Sequence, residues 1–278
     1  MLNRWIGIIS AACLVCASVA LIDRDLLPTW LAGDPPDADV GLTTKEPRRV
    51  QVGVYDESGR LIGRSWTIAR NAGISLDVRS WTLLQPIMLP NNLRTPLVRI
   101  DTSLVYQQDS RVDKLVMRLR GLPTRIELTG KYYPPDEFPC EWRVGEMTGQ
   151  FLLSAEATRA LGDVVRPFDR LPGLYVGRTW RMELFNPLAN ILPGWKAADM
   201  YASKLLVRVT AREKIEHNGE MVDCFRVEAD RATAWVDSSG RVLKQTVDIP
   251  LLGRLTLLDQ PFDEKAHADA LALFSNAP

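Results

Sequence analysis

The sequence predicts a mainly β protein: a single antiparallel, strongly curved sheet with one or two short helices, preceded by an N-terminal hydrophobic helix. Three observations lead to this class. Residues 5–22 form an uncharged apolar run, apolar residues recur at every second position from Val50 onward, and helix-forming stretches are few and short. Alternation with a period of two places successive side chains on opposite sides of a strand. Strands that are not separated by regular helices favour antiparallel pairing.

The composition is that of a folded protein without charge bias. Hydrophobic residues make up 46% of the chain and charged residues 24%, and the formal net charge is zero. These values lie within the usual range for globular proteins. Proteins that bind nucleic acids draw affinity from phosphate groups neutralised by Lys and Arg. Because no basic stripe stands out, the sequence argues against a nucleic-acid partner.

Residues 1–22 have the features of a membrane-targeting segment. A short basic flank ending at Arg4 precedes the uncharged run Trp5–Ile22, whose length is at the short end of what spans a bilayer. Two interpretations stay open: a retained signal anchor, or a signal peptide cleaved after Ala20. Arg4 favours a cytoplasmic N-terminus. The rest of the chain is therefore expected on the periplasmic side of the inner membrane, or secreted if cleavage occurs.

Three further segments follow the hydrophobic run. Residues 23–49 contain several prolines and few apolar side chains, which predicts a flexible linker. Residues 50–262 form the predicted antiparallel β domain, and residues 263–278 a short C-terminal helix and tail. We expect Asp263 to cap that helix, which would run through Phe274, and Ser154 to cap a short helix through Leu161.

Turn residues divide the β domain into hairpins. The turn at 56–60 lies between alternating apolar residues and predicts a hairpin over residues 50–68, in which Trp66 and Ile68 belong to the apolar side. Similar alternation predicts strands at 125–132 and 205–212, and Asn218-Gly219 predicts a tight turn. Residues 55–62 align without gaps to residues 236–243. This similarity indicates either a repeated hairpin plan or one good turn sequence used twice.

Several strand and turn motifs of this chain resemble those of a known group of proteins. The motif Gly173–Trp180, the Asn218-Gly219 hairpin and the segment Ala234–Leu243 together resemble a group of uncharacterised exported bacterial proteins, some of which stand beside transglutaminase-like domains. The resemblance covers roughly residues 50–260. It implies a sheet curled into a half-barrel similar to the lipoprotein carrier and receptor of the outer-membrane (Lol-type) pathway. Its motifs are strand and turn residues, so it implies fold, and lipid carriage is an analogy.

No catalytic or metal-binding motif is found, and we predict a protein that is not an enzyme and has no cofactor and no metal. His217 lies in a tight turn and His267 in the C-terminal helix, each without a base or second ligand at an organising spacing. A surface role is expected for His217. Cys13 and Cys16 lie inside the hydrophobic run, where we expect them to serve as apolar side chains rather than as a metal or redox site.

The β domain contains two cysteines, Cys140 and Cys224. Strand parity places Cys140 with core residues and Cys224 with Arg226 and Glu228. We therefore expect two separate thiols, with a disulfide as the alternative in an oxidising compartment.

Two apolar stretches punctuated by prolines, at residues 83–90 and 184–195, do not fit the strand pattern. They either plug a concave face, line a cavity for an acyl chain, or form an exposed patch for a partner or the bilayer. The candidate ligand-binding residues on these stretches are Leu84, Ile87, Met88, Leu188, Ile191, Leu192 and Trp195.

Two classes of function remain. The first is a non-enzymatic, membrane-tethered β domain of the cell envelope that binds a lipid-like ligand or an envelope partner. The second acts on envelope polymers, either as a hydrolase that uses Asp136, Glu137 and Glu141 or as a glycan-binding module that uses some of the tryptophans. For the three carboxylates, a solvated turn is the competing interpretation.

Overall fold

The structure is a computed structural model. It describes residues 47–86, 96–107, 111–121, 124–135, 137–154, 170–184, 203–230, 232–249 and 253–275, together with positions 17, 18, 32, 33, 36 and 94.

Within these residues, fourteen antiparallel strands form one sheet, which confirms the prediction of a mainly β, antiparallel protein. The outermost strands, β8 and β9, do not pair with each other, so the sheet is not closed into a barrel. The strands are β1 (Arg48–Tyr55), β2 (Leu61–Asn71), β3 (Ser75–Leu84), β4 (Val98–Gln107), β5 (Val112–Arg120), β6 (Ile126–Lys131), β7 (Glu137–Val144), β8 (Met147–Ser154), β9 (Thr179–Leu184), β10 (Ser203–His217), β11 (Glu220–Ala229), β12 (Ala232–Asp237), β13 (Val242–Ile249) and β14 (Gly253–Gln260).

The sheet consists of two meanders joined at one place. Strands β1 to β8 pair in sequence order, and so do β9 to β14. The two meanders meet where β1 pairs with β14, with Val52 opposite Asp259. Every other neighbouring pair is sequential, as expected for hairpins connected by turns.

Alternate residues give the sheet two distinct faces. We call the side that carries Val52, Leu104 and Leu128 the apolar face, and the opposite side the helix face. Large aliphatic side chains on β1 to β8 and β14 form one buried cluster, and a second buried cluster lies on β9 to β13. The core of this protein is therefore concentrated on one side of the sheet.

One helix, α1 (Glu264–Ser275), lies against the helix face, where its His267 contacts Trp66 and Trp81. The carboxylate of Asp263 accepts a hydrogen bond from the backbone N–H of Ala266 at 3.0 Å, which satisfies a donor of the first turn. The predicted cap is thus confirmed. The second predicted helix, after Ser154, lies outside the described residues.

Of the predicted N-terminal helix, the structure describes only Ala17 and Ser18, and both are helical. Among the described residues, no helix has the length and hydropathy needed to cross a bilayer.

Strand β2 corrects the predicted alternation. Trp66 and Ile68 were expected to face the main core, but their register with Trp81 and Arg79 places them on the helix face. Ser65 and Thr67 occupy the apolar face instead, and all four residues are buried. The prediction was wrong because α1 covers the helix face here, so this strand is buried on both sides.

The two similar segments, residues 55–62 and 236–243, form the same turn. Asp56 and Asp237 each accept hydrogen bonds through Oδ1 from the backbone N–H and hydroxyl of the serine two residues later. Each turn is followed by a bulge at the equivalent position of its hairpin. However, β1 and β12 run in opposite directions, and the equivalent residues Val54 and Trp235 lie on opposite faces. The similarity is therefore one turn chemistry used twice rather than a duplicated hairpin.

Candidate functional site

A patch of hydroxyl groups lies within the apolar face. We call Ser65, Thr67, Ser80, Thr82 and Thr102 the hydroxyl patch; all five residues are buried and come from neighbouring strands β2, β3 and β4. The Thr82 hydroxyl donates to Ser65 Oγ at 2.8 Å, and the Thr67 hydroxyl donates to Ser80 Oγ at 3.4 Å. Burying an unpaired hydroxyl is unfavourable, so these mutual bonds allow the patch to exist away from water.

Large apolar side chains surround the hydroxyl patch. In the cross-strand row that contains Ser65 and Thr82, the flanking residues are Val52 and Ile100. Thr102 lies opposite Met117 in the neighbouring row. Binding sites for mostly apolar ligands commonly contain such an enclosed polar area, because a few polar groups in an apolar lining fix the orientation of the ligand.

The chemistry of the patch is neutral. Hydroxyl groups both donate and accept hydrogen bonds, whereas the five patch residues carry no charge. Such a set can bind a carbonyl, ester or hydroxyl group but cannot neutralise a phosphate or a carboxylate. This patch was not predicted from the sequence. The available signal was a pair of Ser and Thr residues, two positions apart, at residues 65 and 67 and again at residues 80 and 82.

Of the predicted ligand-binding residues, the structure describes Leu84. Its side chain is 7% exposed, belongs to the larger core cluster and lies on the apolar face, two residues along β3 from Thr82. It therefore adjoins the hydroxyl patch. The other candidates, Ile87, Met88, Leu188, Ile191, Leu192 and Trp195, lie outside the described residues.

The predicted carboxylate group is only partly described, since Asp136 lies outside the described residues. Glu137 and Glu141 are exposed on β7, and Glu141 accepts a hydrogen bond from Gln150 Nε2 at 3.1 Å. Four residues along a strand separate their Cα atoms by about 13 Å. The carboxyl pairs of glycoside hydrolases lie about 5 to 9.5 Å apart, so the backbone does not place these two as such a pair.

His217 does not have the surface role that was expected for it. Its side chain is 13% exposed, and its Nε2 lies 3.6 Å from Asp259 Oδ2 at the end of β14. Arg241 Nη2 donates to the same oxygen at 2.5 Å, and Asn218 Nδ2 lies 3.0 Å from the His217 ring nitrogen. The prediction was wrong because the tip of the β10–β11 hairpin meets Arg241, just before β13, and Asp259 of β14, which are distant in sequence.

In the described part of the chain, His217 is not joined to the groups that nucleophilic catalysis needs. Asp259 is already engaged by Arg241, and among the described residues no hydroxyl or thiol forms a hydrogen bond with His217. Nor does that part of the chain bring together three or more His, Cys, Asp or Glu residues that could hold a metal ion. The contacts of His217 instead fix the hairpin tip to β14.

Cys140 and Cys224 are free and buried, which confirms two separate thiols. Burial raises the pKa of Cys140 to about 12. The pKa of Cys224 is raised to about 11 by burial and by Asp237, Asp223 and Glu213. Because the thiolate is the reactive form, neither residue is an activated nucleophile at neutral pH.

Cys224 was expected on an exposed face and is fully buried instead. It lies between Glu213 and Asp237 in one cross-strand row. The indole of Trp235 donates a hydrogen bond to Glu213 and so reaches diagonally across β11. The Trp235 side chain thus covers Cys224, although the strand alternation had placed Cys224 on the exposed face with Arg226 and Glu228.

His267 occupies an aromatic cage, by which we mean Trp66, Trp81 and Phe262. The ring centroids of these residues lie 5.2 to 6.2 Å from that of His267. Within the described part of the chain, the buried Nε2 of His267 has no hydrogen-bond partner. Burial lowers the pKa of His267, and the positive charge of Arg49 lowers it further. The neutral ring therefore acts as an apolar anchor for α1.

Arginine side chains of the sheet hold the other end of α1. Arg99 Nη1 donates to the carbonyl of Leu273 at 2.7 Å, and Arg120 Nη1 to the carbonyl of Phe274 at 3.1 Å. These carbonyls lie at the negative end of the helix dipole, where cations are stabilising. The two arginines lie opposite each other on β4 and β5, so the sheet presents them as a pair.

Comparison with protein-family models, curated proteins and solved structures finds no match for this chain.

Proposed function

We propose that this protein is a non-enzymatic component of a bacterial-type cell envelope, tethered to the inner membrane, whose sheet curls into a Lol-like half-barrel and binds a lipid-like apolar ligand. The observation that carries the proposal is the hydroxyl patch, a neutral polar area enclosed within a wide apolar face. This arrangement suits a ligand with a long apolar body and an uncharged polar group.

The burial of the apolar face supports a curled sheet. Fourteen strands spaced about 4.8 Å apart would make a flat sheet about 60 Å wide. Helix α1 lies on the opposite face, and a flat single layer would leave the apolar face in water. Yet the residues of its larger cluster, which extends from β14 through β8, are between 0 and 7% exposed. Curling brings the two ends of such a face towards each other.

The hydrophobic run of residues 5–22 supports the tether. With Arg4 on the cytoplasmic side, the β domain lies in the periplasm. Cleavage after Ala20 would release the same domain, and binding of the ligand would then take place without a membrane anchor.

Ligand analysis of the full chain tests the proposal. The protein is purified from membranes in mild detergent and analysed by native mass spectrometry and by lipid extraction. We expect a copurifying apolar ligand on the wild-type chain. The double variant S65A/T82V removes both members of one patch hydrogen bond, and we expect it to retain less ligand. Its folding should be nearly unaffected, because exchanging both partners for apolar groups is close to neutral.

T148V is the matched control, because Thr148 lies exposed on β8. It should retain as much ligand as the wild type. Wild-type protein that carries no ligand in any preparation would rule out the binding function. Equal ligand retention in S65A/T82V and in T148V would show that the ligand does not bind at the hydroxyl patch.

Docking of an envelope partner is the second candidate function, and the edge strand β8 favours it. Met147 and Leu152 are exposed on this strand, which, among the described residues, has a paired strand on one side only. A partner can add a strand to such an edge. Photo-crosslinking from position 152 in cells, compared with position 74 as a control, would reveal a partner specific to this edge; equal crosslinking from both positions would argue against it.

A further inference from the structure

We infer that the β9 end of the sheet rests on the surface of the phospholipid bilayer, with the turn at Tyr175 and Val176 entering the headgroup region. The inference rests on the proposed tether, and it adds which part of the domain meets the membrane.

The predicted linker contacts the sheet at Gly33. Gly33 pairs with Trp180 of β9, and its backbone N–H donates to the carbonyl of Thr179 at 3.0 Å. Pro36, three residues later, is buried. Residues that were predicted as a flexible linker therefore include a contact with β9, an outermost strand of the sheet.

The contact at Gly33 also shows in which direction the chain runs past β9. The Gly33–Trp180 bridge is parallel, and in a parallel pair the residues preceding both partners lie towards the same end. The residues preceding Trp180 lead back to the turn at Tyr175 and Val176. The chain that arrives from the hydrophobic run therefore approaches Gly33 from the end of β9 where this turn lies.

The segment between the hydrophobic run and Gly33 can span only a limited distance. The uncharged run ends at Ile22, so residues 23–32 separate it from Gly33. Ten residues span at most about 35 Å when fully extended. The whole predicted linker of residues 23–49 would span about 90 Å on the same basis. The contact at Gly33 thus keeps this end of the sheet close to the bilayer.

The turn itself has the side chains that suit a membrane interface. Tyr175 is 63% exposed and Val176 is 52% exposed, although both are apolar or aromatic. The backbone is fixed, since Gly177 N–H donates to the carbonyl of Val209 at 2.9 Å and Arg178 N–H to that of Tyr175 at 3.1 Å. Tyrosine is enriched where membrane proteins cross the boundary between headgroups and water.

Positive charges lie beside the turn. Arg208 is exposed on β10 opposite Thr179, and Arg181 is exposed on β9. Glu228, the cross-strand neighbour of Arg208, forms an ion pair with Arg226 at 2.7 Å. Arginine residues near a bilayer are attracted to anionic headgroups, so Arg208 would favour such a surface.

The experiment places an environment-sensitive NBD fluorophore on the turn of the full chain. In a C13A/C16A background, Cys140 and Cys224 remain buried, so V176C is labelled selectively. I74C is the matched control, because Ile74 is 77% exposed and lies in the β2–β3 connection. Both labelled proteins are reconstituted in nanodiscs of phosphatidylethanolamine and phosphatidylglycerol, where iodide reaches both sides of the bilayer.

We expect the V176C label to show blue-shifted emission and severalfold weaker quenching by iodide than the I74C label, together with quenching by doxyl-labelled lipid. G33P removes the N–H that bonds to Thr179, so it should raise iodide quenching at V176C towards the I74C value. Equal iodide quenching of V176C and I74C in protein that remains in the nanodiscs would overturn the inference and leave the tether standing. Full-length chain that does not associate with lipid at all would overturn the tether and the inference together.

Discussion

The indole nitrogen of Trp66 donates a hydrogen bond to the side-chain oxygen of Gln51, 2.8 Å away. The same oxygen accepts the backbone N–H of Asp263 at 2.9 Å, just before α1. One buried amide therefore joins β1, β2 and the start of the helix. This contact explains how the aromatic residues of β2 and the C-terminal segment are held in one arrangement.

Gln51→Leu should lower the free energy of unfolding by about 1–3 kcal/mol, because it leaves the buried indole N–H of Trp66 and the partly buried backbone N–H of Asp263 without an acceptor. Urea denaturation of the wild type and the variant measures the difference. Gln150→Leu is the control, since Gln150 is exposed on β8 and bonds only to an exposed carboxylate. A Q51L effect no larger than that of Q150L would show that the Gln51 bridge does not stabilise the fold.

The pKa of His267 predicts a dependence of stability on pH. Burial and Arg49 lower this pKa below that of the unfolded chain, so the folded protein binds fewer protons in mild acid. The corresponding stability is complete above about pH 6.5 and is lost as pH falls from there towards the folded pKa. H267F keeps an aromatic ring in the cage and removes the titration. We expect a smaller decrease of Tm between pH 8 and pH 5 in H267F than in the wild type, whereas equal decreases would assign the pH dependence to other groups.

The two equivalent turns provide a matched pair of glycine substitutions. Gly59 and Gly240 both have positive φ, at 77° and 85°. An added Cβ at Gly59 meets nothing within 4 Å, whereas at Gly240 it would lie 2.9 Å from the Leu171 carbonyl oxygen. G59A should therefore lose about 1 kcal/mol through left-handed strain alone, and G240A should lose more. Thermal unfolding compares them, and a G59A variant as unstable as G240A would contradict this explanation.

Burial of Cys140 and Cys224 predicts slow reaction with thiol reagents. In the C13A/C16A background at pH 8, native protein should show almost no reaction with DTNB, and unfolded protein should show two reactive thiols. The raised pKa values, about 12 and about 11, leave little thiolate in the folded state. Rapid modification of one thiol in the native protein would identify an opening near that cysteine.

The parts of the fold that depend on local chemistry were predictable from the sequence. The cap at Asp263 and the Asn218-Gly219 turn, with φ of 52° and 83°, lie where their residue types require. Both signals act within a few residues of chain. Neither depends on what packs against the element from elsewhere.

The parts that depend on distant contacts were not predictable. Nothing near His217 in sequence indicates Asp259, which lies 42 positions later and becomes a neighbour only through the β10–β11 hairpin. Likewise, the alternation of Trp66 with Ser65 could not reveal which side faces the main core, because α1 covers the helix face. The hydroxyl patch was missed for the same reason.

The pairing of β1 with β14 sets the order in which this protein can assemble. All other strand pairings in the described part of the sheet are between sequential neighbours, whereas this one closes a loop of about two hundred residues, at an entropic cost that grows with loop length. Synthesis proceeds from the N-terminus, so the first eight strands can form local hairpins before the last six exist. Complete folding must then wait for Leu255 and Leu257 to cover the open side of β1.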